Sequence, residues 1–155
     1  MKWNQRFKFA SGTTIFPKFD SFKEFLIKHN LKNEATSNLK IQEVLNKLGI
    51  KAGIFMRDSN ITNEIAIVNL HPTKGTHWVL VIHNFYFDSY GCPPPKNVLK
   101  HVKSEYNKCI YSEYRIQKQD SLCANYCLYI IYLYHKLGSF KKAVMNLYYL
   151  KNEEN

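Results

Sequence analysis

The stretch Gln117-Lys118-Gln119-Asp120-Ser121-Leu122-Cys123-Ala124-Asn125-Tyr126-Cys127-Leu128-Tyr129-Ile130-Ile131-Tyr132-Leu133 sets a polar loop directly against a long apolar, aromatic run that ends at Leu137-Gly138. The run is apolar on most of a helix circumference, which predicts a helix buried on nearly every side. Asp120 or Ser121 is placed to cap its first N–H groups, and Cys123 falls in its first turn. At that position the positive end of the helix dipole favours a thiolate over a thiol. A cysteine in an apolar helix is most often a small core residue, and that is the reading for Cys127. Cys123 differs because it stands where the polar loop meets the helix.

Two upstream segments give Cys123 its meaning, Gly75-Thr76-His77-Trp78 and Phe87-Asp88-Ser89-Tyr90-Gly91. Residues 77–82 and 85–88 read as strands joined by a tight hairpin at His83-Asn84. Folding that hairpin brings His77 and Asp88 within cross-strand reach, about 5 Å. Thiol attack on an amide needs a thiolate, a base that holds and returns its proton, an orienter for the base, and donors for the oxyanion. The chain has a candidate for each: Cys123 as nucleophile, His77 as base and later acid, Asp88 as orienter, and the Gln117 side chain beside the Cys123 backbone N–H. Trp78, next to the base, is the candidate for substrate binding. Singly these residues carry little, since Asp88-Ser89 with Tyr90-Gly91 also reads as a turn, and His71, His83 and His101 as turn or surface residues. Together and in this order they predict a cysteine peptidase. Cys123 and Cys127, one helical turn apart, could also join a distant His on zinc, but no second Cys or His pair has ligand spacing.

Composition bounds this reading. At 155 residues the chain fits one domain with a substantial core and leaves no room for a second. A hydrophobic content of 45% with 15% aromatics excludes a disordered or fibrous chain. No apolar run reaches the roughly 18 residues of a membrane span. The start of the chain has Lys2, Arg6 and Lys8 where a secretory signal would have its apolar core, so an intracellular protein without membrane partners is expected. Four cysteines without a CxxC pair predict free thiols. The formal charge of +10 fits either a polyanionic neighbour such as nucleic acid or a merely soluble basic surface.

Elsewhere, Ser21 with Glu24 forms a capping box that predicts a helix reaching about His29. Ser37 or Asn38 starts a second, with Leu39, Ile41, Val44, Leu45 and Leu48 as its apolar stripe and Gly49 as its end. Residues 54–56 and 65–70 read as strands, 71–76 as a turn. Pro93-Pro94-Pro95 opens a helix over 96–106 with Val98, Leu99 and Val102 inward. Residues 109–116 alternate and read as a strand that delivers Gln117, and Ser139 caps a last helix through Val144, Leu147 and Leu150.

The ordered segments 53–58, 67–70 with 75–79, 86–96, and 116–129 around Asp120-Ser121-Leu122-Cys123 resemble the adenovirus-type (adenain-like) viral cysteine proteases, and within them those of adintoviruses and Polinton or Maverick elements. The resemblance covers about residues 40–135, with no match for residues 1–36, an N-terminal extension of the single domain 1–155. SUMO- and ubiquitin-like-specific proteases, more distant, share the order His, Asp, Gln, Cys. The resemblance implies an α+β, papain-related fold with permuted chain order, in which a central mixed sheet packs on a buried nucleophile helix. It also implies a thiol protease that cleaves virion precursor proteins, often beside Gly, in the host nucleus or cytoplasm and in the virion. By position, His77, Asp88, Gln117 and Cys123 match the family's base, acid, oxyanion glutamine and nucleophile. The family usually has Gly where Ala124 stands, and a loop one residue longer before the nucleophile, which keeps Gln119 as the alternative to Gln117. No cofactor is needed for the chemistry, but the family is typically stimulated by DNA and by a short viral peptide. The basic residues Lys2, Arg6, Lys8, Lys18, Lys96, Lys100, Lys103, Lys108, Lys141 and Lys142 are candidates for the first, and Cys109, in a Lys-Cys-Ile context, for linking the second. An isopeptidase acting on ubiquitin or SUMO conjugates, and an inactive basic nucleic-acid-binding virion protein, are the alternatives.

Overall fold

Two neighbouring strands with apolar residues on both faces demand cover on both sides, and they set the architecture. A computed structural model describes residues 19–32, 34–71, 77–117 and 121–153. The elements are α1 (Phe22–Lys28), α2 (Asn38–Leu48), β1 (Gly53–Met56), β2 (Ile65–Asn69), β3 (Trp78–Ile82), β4 (Phe85–Phe87), α3 (Lys96–Tyr106), β5 (Ile110–Tyr111), α4 (Cys123–Leu137) and α5 (Phe140–Glu153). The strands form one mixed sheet in the order β1-β2-β3-β4-β5. Its central pairs β2-β3 and β3-β4 are antiparallel, and the outer pairs β1-β2 and β4-β5 are parallel. The protein is therefore α+β.

Side-chain alternation sorts the core into two halves. Ile65, Ile67, Trp78, Leu80 and Ile82 point to the side where α1, α2, α4 and α5 gather. Ala66, Val68, Val79 and Val81 point to the other side, where Val98 and Val102 of α3 and Cys109 cover them. Fully buried aliphatic side chains of this kind each contribute about 1.5–3 kcal/mol. The helix on the first side, α4, is buried without interruption from Cys123 to Leu133, as its all-round apolar sequence predicts. No helix among the described residues is long and apolar enough to cross a membrane.

Helix boundaries follow the expected caps at most ends. Ser21 and Glu24 form the reciprocal capping box of α1, and the Ser37 side chain accepts the Lys40 N–H of α2. Gly49 and Gly138 end α2 and α4 in the left-handed conformation. Within the β3-β4 hairpin, His83 adopts φ 52, a positive value that short hairpin turns require.

Three expectations are corrected. Leu39 does not join the stripe of α2 and is 80% exposed, because it lies about 200° round the helix from Ile41. The strand expected over 109–116 shrinks to Ile110–Tyr111. Beyond it the Ser112 hydroxyl takes the Tyr114 N–H, and the N–H groups of Ile116 and Gln117 go to the Ser89 carbonyl rather than to a ladder. Lastly, the N-cap position of α4 is Leu122 rather than Ser121, and Leu122 makes no side-chain cap. Asp120 itself, Gln119, residues 72–76 of the expected turn, Lys2, Arg6, Lys8 and Lys18, and the side chain of Leu150 lie outside the described residues.

The turn after β4 is where sequence constrains the site most tightly. Gly91 closes it by donating to the Asp88 carbonyl at 2.8 Å, with φ 75, and a Cβ there would sit 2.6 Å from the Glu113 carbonyl oxygen. Gly91→Ala is expected to destabilise the protein by at least about 2 kcal/mol, from backbone strain and from pushing residues 113–117 away. Urea unfolding checks this, and an unchanged midpoint would show that the close approach is not needed.

Candidate active site

The hairpin register generates the central pair of the site. Leu80 lies opposite Phe87, so continuing the pairing puts Asp88 opposite Val79 and His77 diagonal to Asp88 on the same face. His77 Nε2 and Asp88 Oδ1 are 2.9 Å apart, with the side chains 13% and 4% exposed. Asp88 Oδ1 also accepts the Tyr90 N–H at 2.8 Å, which fixes the carboxylate in the turn. The Tyr90 ring packs 4.9 Å from the imidazole, and the Arg115 guanidinium lies 5.3 Å from the Tyr90 ring centre.

Helix α4 brings the sulfur to this pair. Cys123 lines the same cleft as the pair and, together with Asp88, favours the protonated His77 ring. Since Nε2 is engaged by Asp88, Nδ1 is the nitrogen left to serve the thiol. The Cys123 sulfur also accepts the Trp78 backbone N–H at 3.4 Å. One turn later the Cys127 thiol approaches the Trp78 carbonyl at 3.5 Å, so the helix holds the Trp78 peptide from both sides. Cys127 is fully buried and its thiol is pushed well up by burial, in keeping with a core role. Trp78, expected to meet substrate, is 2% exposed and reaches the site through its backbone. Trp78 also borders a second depression with Ala35, Met56 and Asn69, and Ala35 lines the main cleft as well.

Gln117 arrives from the irregular segment after β5. Its backbone N–H donates to the Ser89 carbonyl at 2.9 Å, its carbonyl accepts Arg115 Nε at 3.0 Å, and its side-chain Oε1 accepts the Ser89 hydroxyl at 2.5 Å. The donor end of that amide is therefore Nε2. His77, Asp88, Gln117, Ser121 and Cys123 all line one cleft of about 900 Å³, with Ala35, Arg57 and His71 among the residues around it. The N-cap residue Leu122 adds no side-chain cap of its own, and the first turn of α4 opens onto this cleft at Cys123.

The arrangement can hold a proton between sulfur and imidazole and pass it on. Burial by itself would lower the His77 pKa, but hydrogen bonds and charge from Asp88 and Cys123 outweigh it and raise the ring from 6.5 to about 9. The protonated ring thus adds stability that is complete below about pH 6.5 and is lost as pH rises through about 9. No group of three or more His, Cys, Asp or Glu among the described residues is placed to hold a metal ion.

Sequence reasoning assembled the four polar residues but missed Trp78 as a backbone donor, the Ser89 hydroxyl and the Tyr90-Arg115 packing. Cys109 is corrected: it is fully buried beneath α3, and burial pushes its thiol up to about 12, so it is not presented for linking a peptide. Lys96, Lys100 and Lys103 share the exposed face of α3, opposite Val98 and Val102, whereas Lys108, expected on the same face, lies beyond the end of the helix. Compared with known proteins, the chain matches no family model and no curated sequence.

An NMR titration of the His77 ring should show a midpoint near 9 in the intact protein. In Asp88→Asn the midpoint should fall, because the charge and the acceptor that oppose burial are both weakened. A ring that titrates near 6.5 with Asp88 in place would show that the pair is not coupled.

Proposed function

We propose that this protein is a cysteine endopeptidase of the adenovirus-protease type, with the papain-related fold in permuted order. The observation that carries the reading is the His77-Asp88 pair at 2.9 Å with Cys123 and Gln117 lining the same cleft. Cys123 attacks the scissile carbonyl as thiolate, and the tetrahedral oxyanion is held by Gln117 Nε2 and by first-turn N–H groups of α4. His77 returns the proton to the leaving amine, and a water then releases the acyl group from sulfur, again through His77. Asp88 keeps the ring oriented and its charge stabilised. Virion precursor proteins are the substrates this reading expects, in the infected cell's nucleus or cytoplasm or in the particle.

Cleavage of a Gly-containing precursor peptide, run beside a ubiquitin or SUMO activity probe, tests the function. Cys123→Ala and His77→Ala should each abolish cleavage while leaving the fold intact, and Gln117→Ala should lower turnover on the order of a hundredfold. Reaction with the ubiquitin-type probe and not with the peptide would replace the endopeptidase by an isopeptidase. Full alkylation of Cys123 with no cleavage of either would point to an inactive, structural relative.

The exposed lysines of α3 support a polyanion as an accessory partner. A gel shift with duplex DNA should be visible at low salt and vanish steeply as salt rises, because each neutralised phosphate releases counterions. Absence of any shift at micromolar protein would remove DNA as an activator.

A further inference from the structure

Ser89 stands out among buried polar residues outside the four-residue set. It is fully buried, next in the chain to Asp88, and it meets Gln117 twice. Its carbonyl accepts the N–H groups of Ile116 at 2.8 Å and Gln117 at 2.9 Å, and its hydroxyl donates to Gln117 Oε1 at 2.5 Å. An amide side chain has two ends of nearly equal shape and opposite polarity, so packing alone does not decide which end faces the cleft. A carbonyl turned toward a developing oxyanion would repel it, whereas the NH₂ end would hold it.

We propose that Ser89 is a positioning residue that fixes the polarity of the Gln117 amide, holding Oε1 so that Nε2 is the end presented as the oxyanion donor. A buried hydroxyl must place its proton on an acceptor, and the side-chain partner of the Ser89 hydroxyl is Gln117. Flipping the amide would replace the acceptor of that proton by an NH₂ donor. The dipeptide Asp88-Ser89 then serves both halves of the chemistry: Asp88 orients the base, and Ser89 orients the oxyanion donor. Arg115 supports the same segment by donating to the Gln117 carbonyl at 3.0 Å.

This inference rests on the peptidase reading, and the test separates the two. Wild type, Ser89→Ala, Gln117→Ala and the double variant are compared as full chains for kcat and KM on a peptide substrate, and for the rate of Cys123 alkylation by iodoacetamide. Alkylation develops no oxyanion, so it reports the sulfur and imidazole alone. Ser89→Ala should lower kcat roughly tenfold, a part of the loss expected for removing the donor itself, with KM and alkylation unchanged. In the Gln117→Ala background the Ser89 change should have no further effect. Additive losses, or alkylation falling in step with kcat, overturn the proposal. The contact is also readable without turnover: the Gln117 side-chain NH₂ resonances should shift and exchange faster with water in Ser89→Ala than in wild type. Unchanged resonances overturn it even in a chain that cleaves nothing, and failure of wild type to cleave while Cys123 alkylates overturns the peptidase reading instead. If Ser89→Ala does not fold, Ser89→Cys, which keeps a weaker donor, carries the same comparison.

Discussion

A helix that is apolar on every side has to be surrounded, and the rest of the chain is arranged to surround α4. The sheet covers it with Trp78, Leu80 and Ile82, α1 with Phe22 and Phe25, α2 with Ile41 and Leu45, and α5 with Phe140 and Leu147. Phe22 stacks on Tyr126 at 4.9 Å between ring centres, and the hydroxyls of Tyr129 and Tyr132 reach the backbone of Asp20 at 2.7 and 2.8 Å. Those two hydrogen bonds solve the problem that tyrosines bring into a core, since each ring is buried while its polar tip finds a partner. Asn125 does the same on the neighbouring face, with Thr36 at 2.5 Å and the Lys32 carbonyl at 3.3 Å.

Most of this was legible because it depends on local periodicity. Ser21 with Glu24, Gly49, Gly138 and the apolar run over Ile65–Asn69 each specify their own conformation, and the structure follows them. The His77-Asp88 approach was legible for a related reason: a two-residue hairpin fixes its register, and register fixes which side chains share a face. Leu39 misled because its neighbours are apolar, although two positions along a helix is nearly the opposite side. Residues 109–116 misled because alternation describes side chains, whereas a strand also needs a partner for its backbone. The N–H groups of Ile116 and Gln117 found theirs in the Ser89 carbonyl. That contact joins segments 27 and 28 residues apart, and no periodic signal encodes it. The buried state of Cys109 was equally hidden, since it depends on where α3 lies over the second face of the sheet.

The site, once assembled, is a contest between burial and pairing. An imidazole taken out of water with no partner would become harder to protonate, and for His77 burial is the largest single influence. Asp88 and Cys123 reverse the outcome jointly, each by a hydrogen bond and by charge. The fold holds the three groups together inside a poorly solvated cleft, where charge interactions are strengthened. Each of the three comes from a different part of the chain: the start of β3, the end of β4 and the start of α4.

That division explains why the Trp78 peptide matters beyond its own bonds. It is the point where the hairpin and the helix are tied together, with its N–H on the Cys123 sulfur and its carbonyl near Cys127. His77 is its immediate neighbour in the chain, so a shift of α4 along the sheet would strain both contacts before it separated sulfur from imidazole. The i, i+4 spacing of the two cysteines, which in isolation also suits a metal pair, places both sulfurs on the helix face that meets this peptide. Core packing and the placement of Cys123 are thus one constraint. Substitutions at Cys127, remote from any substrate, should be felt at Cys123 through the position of Trp78.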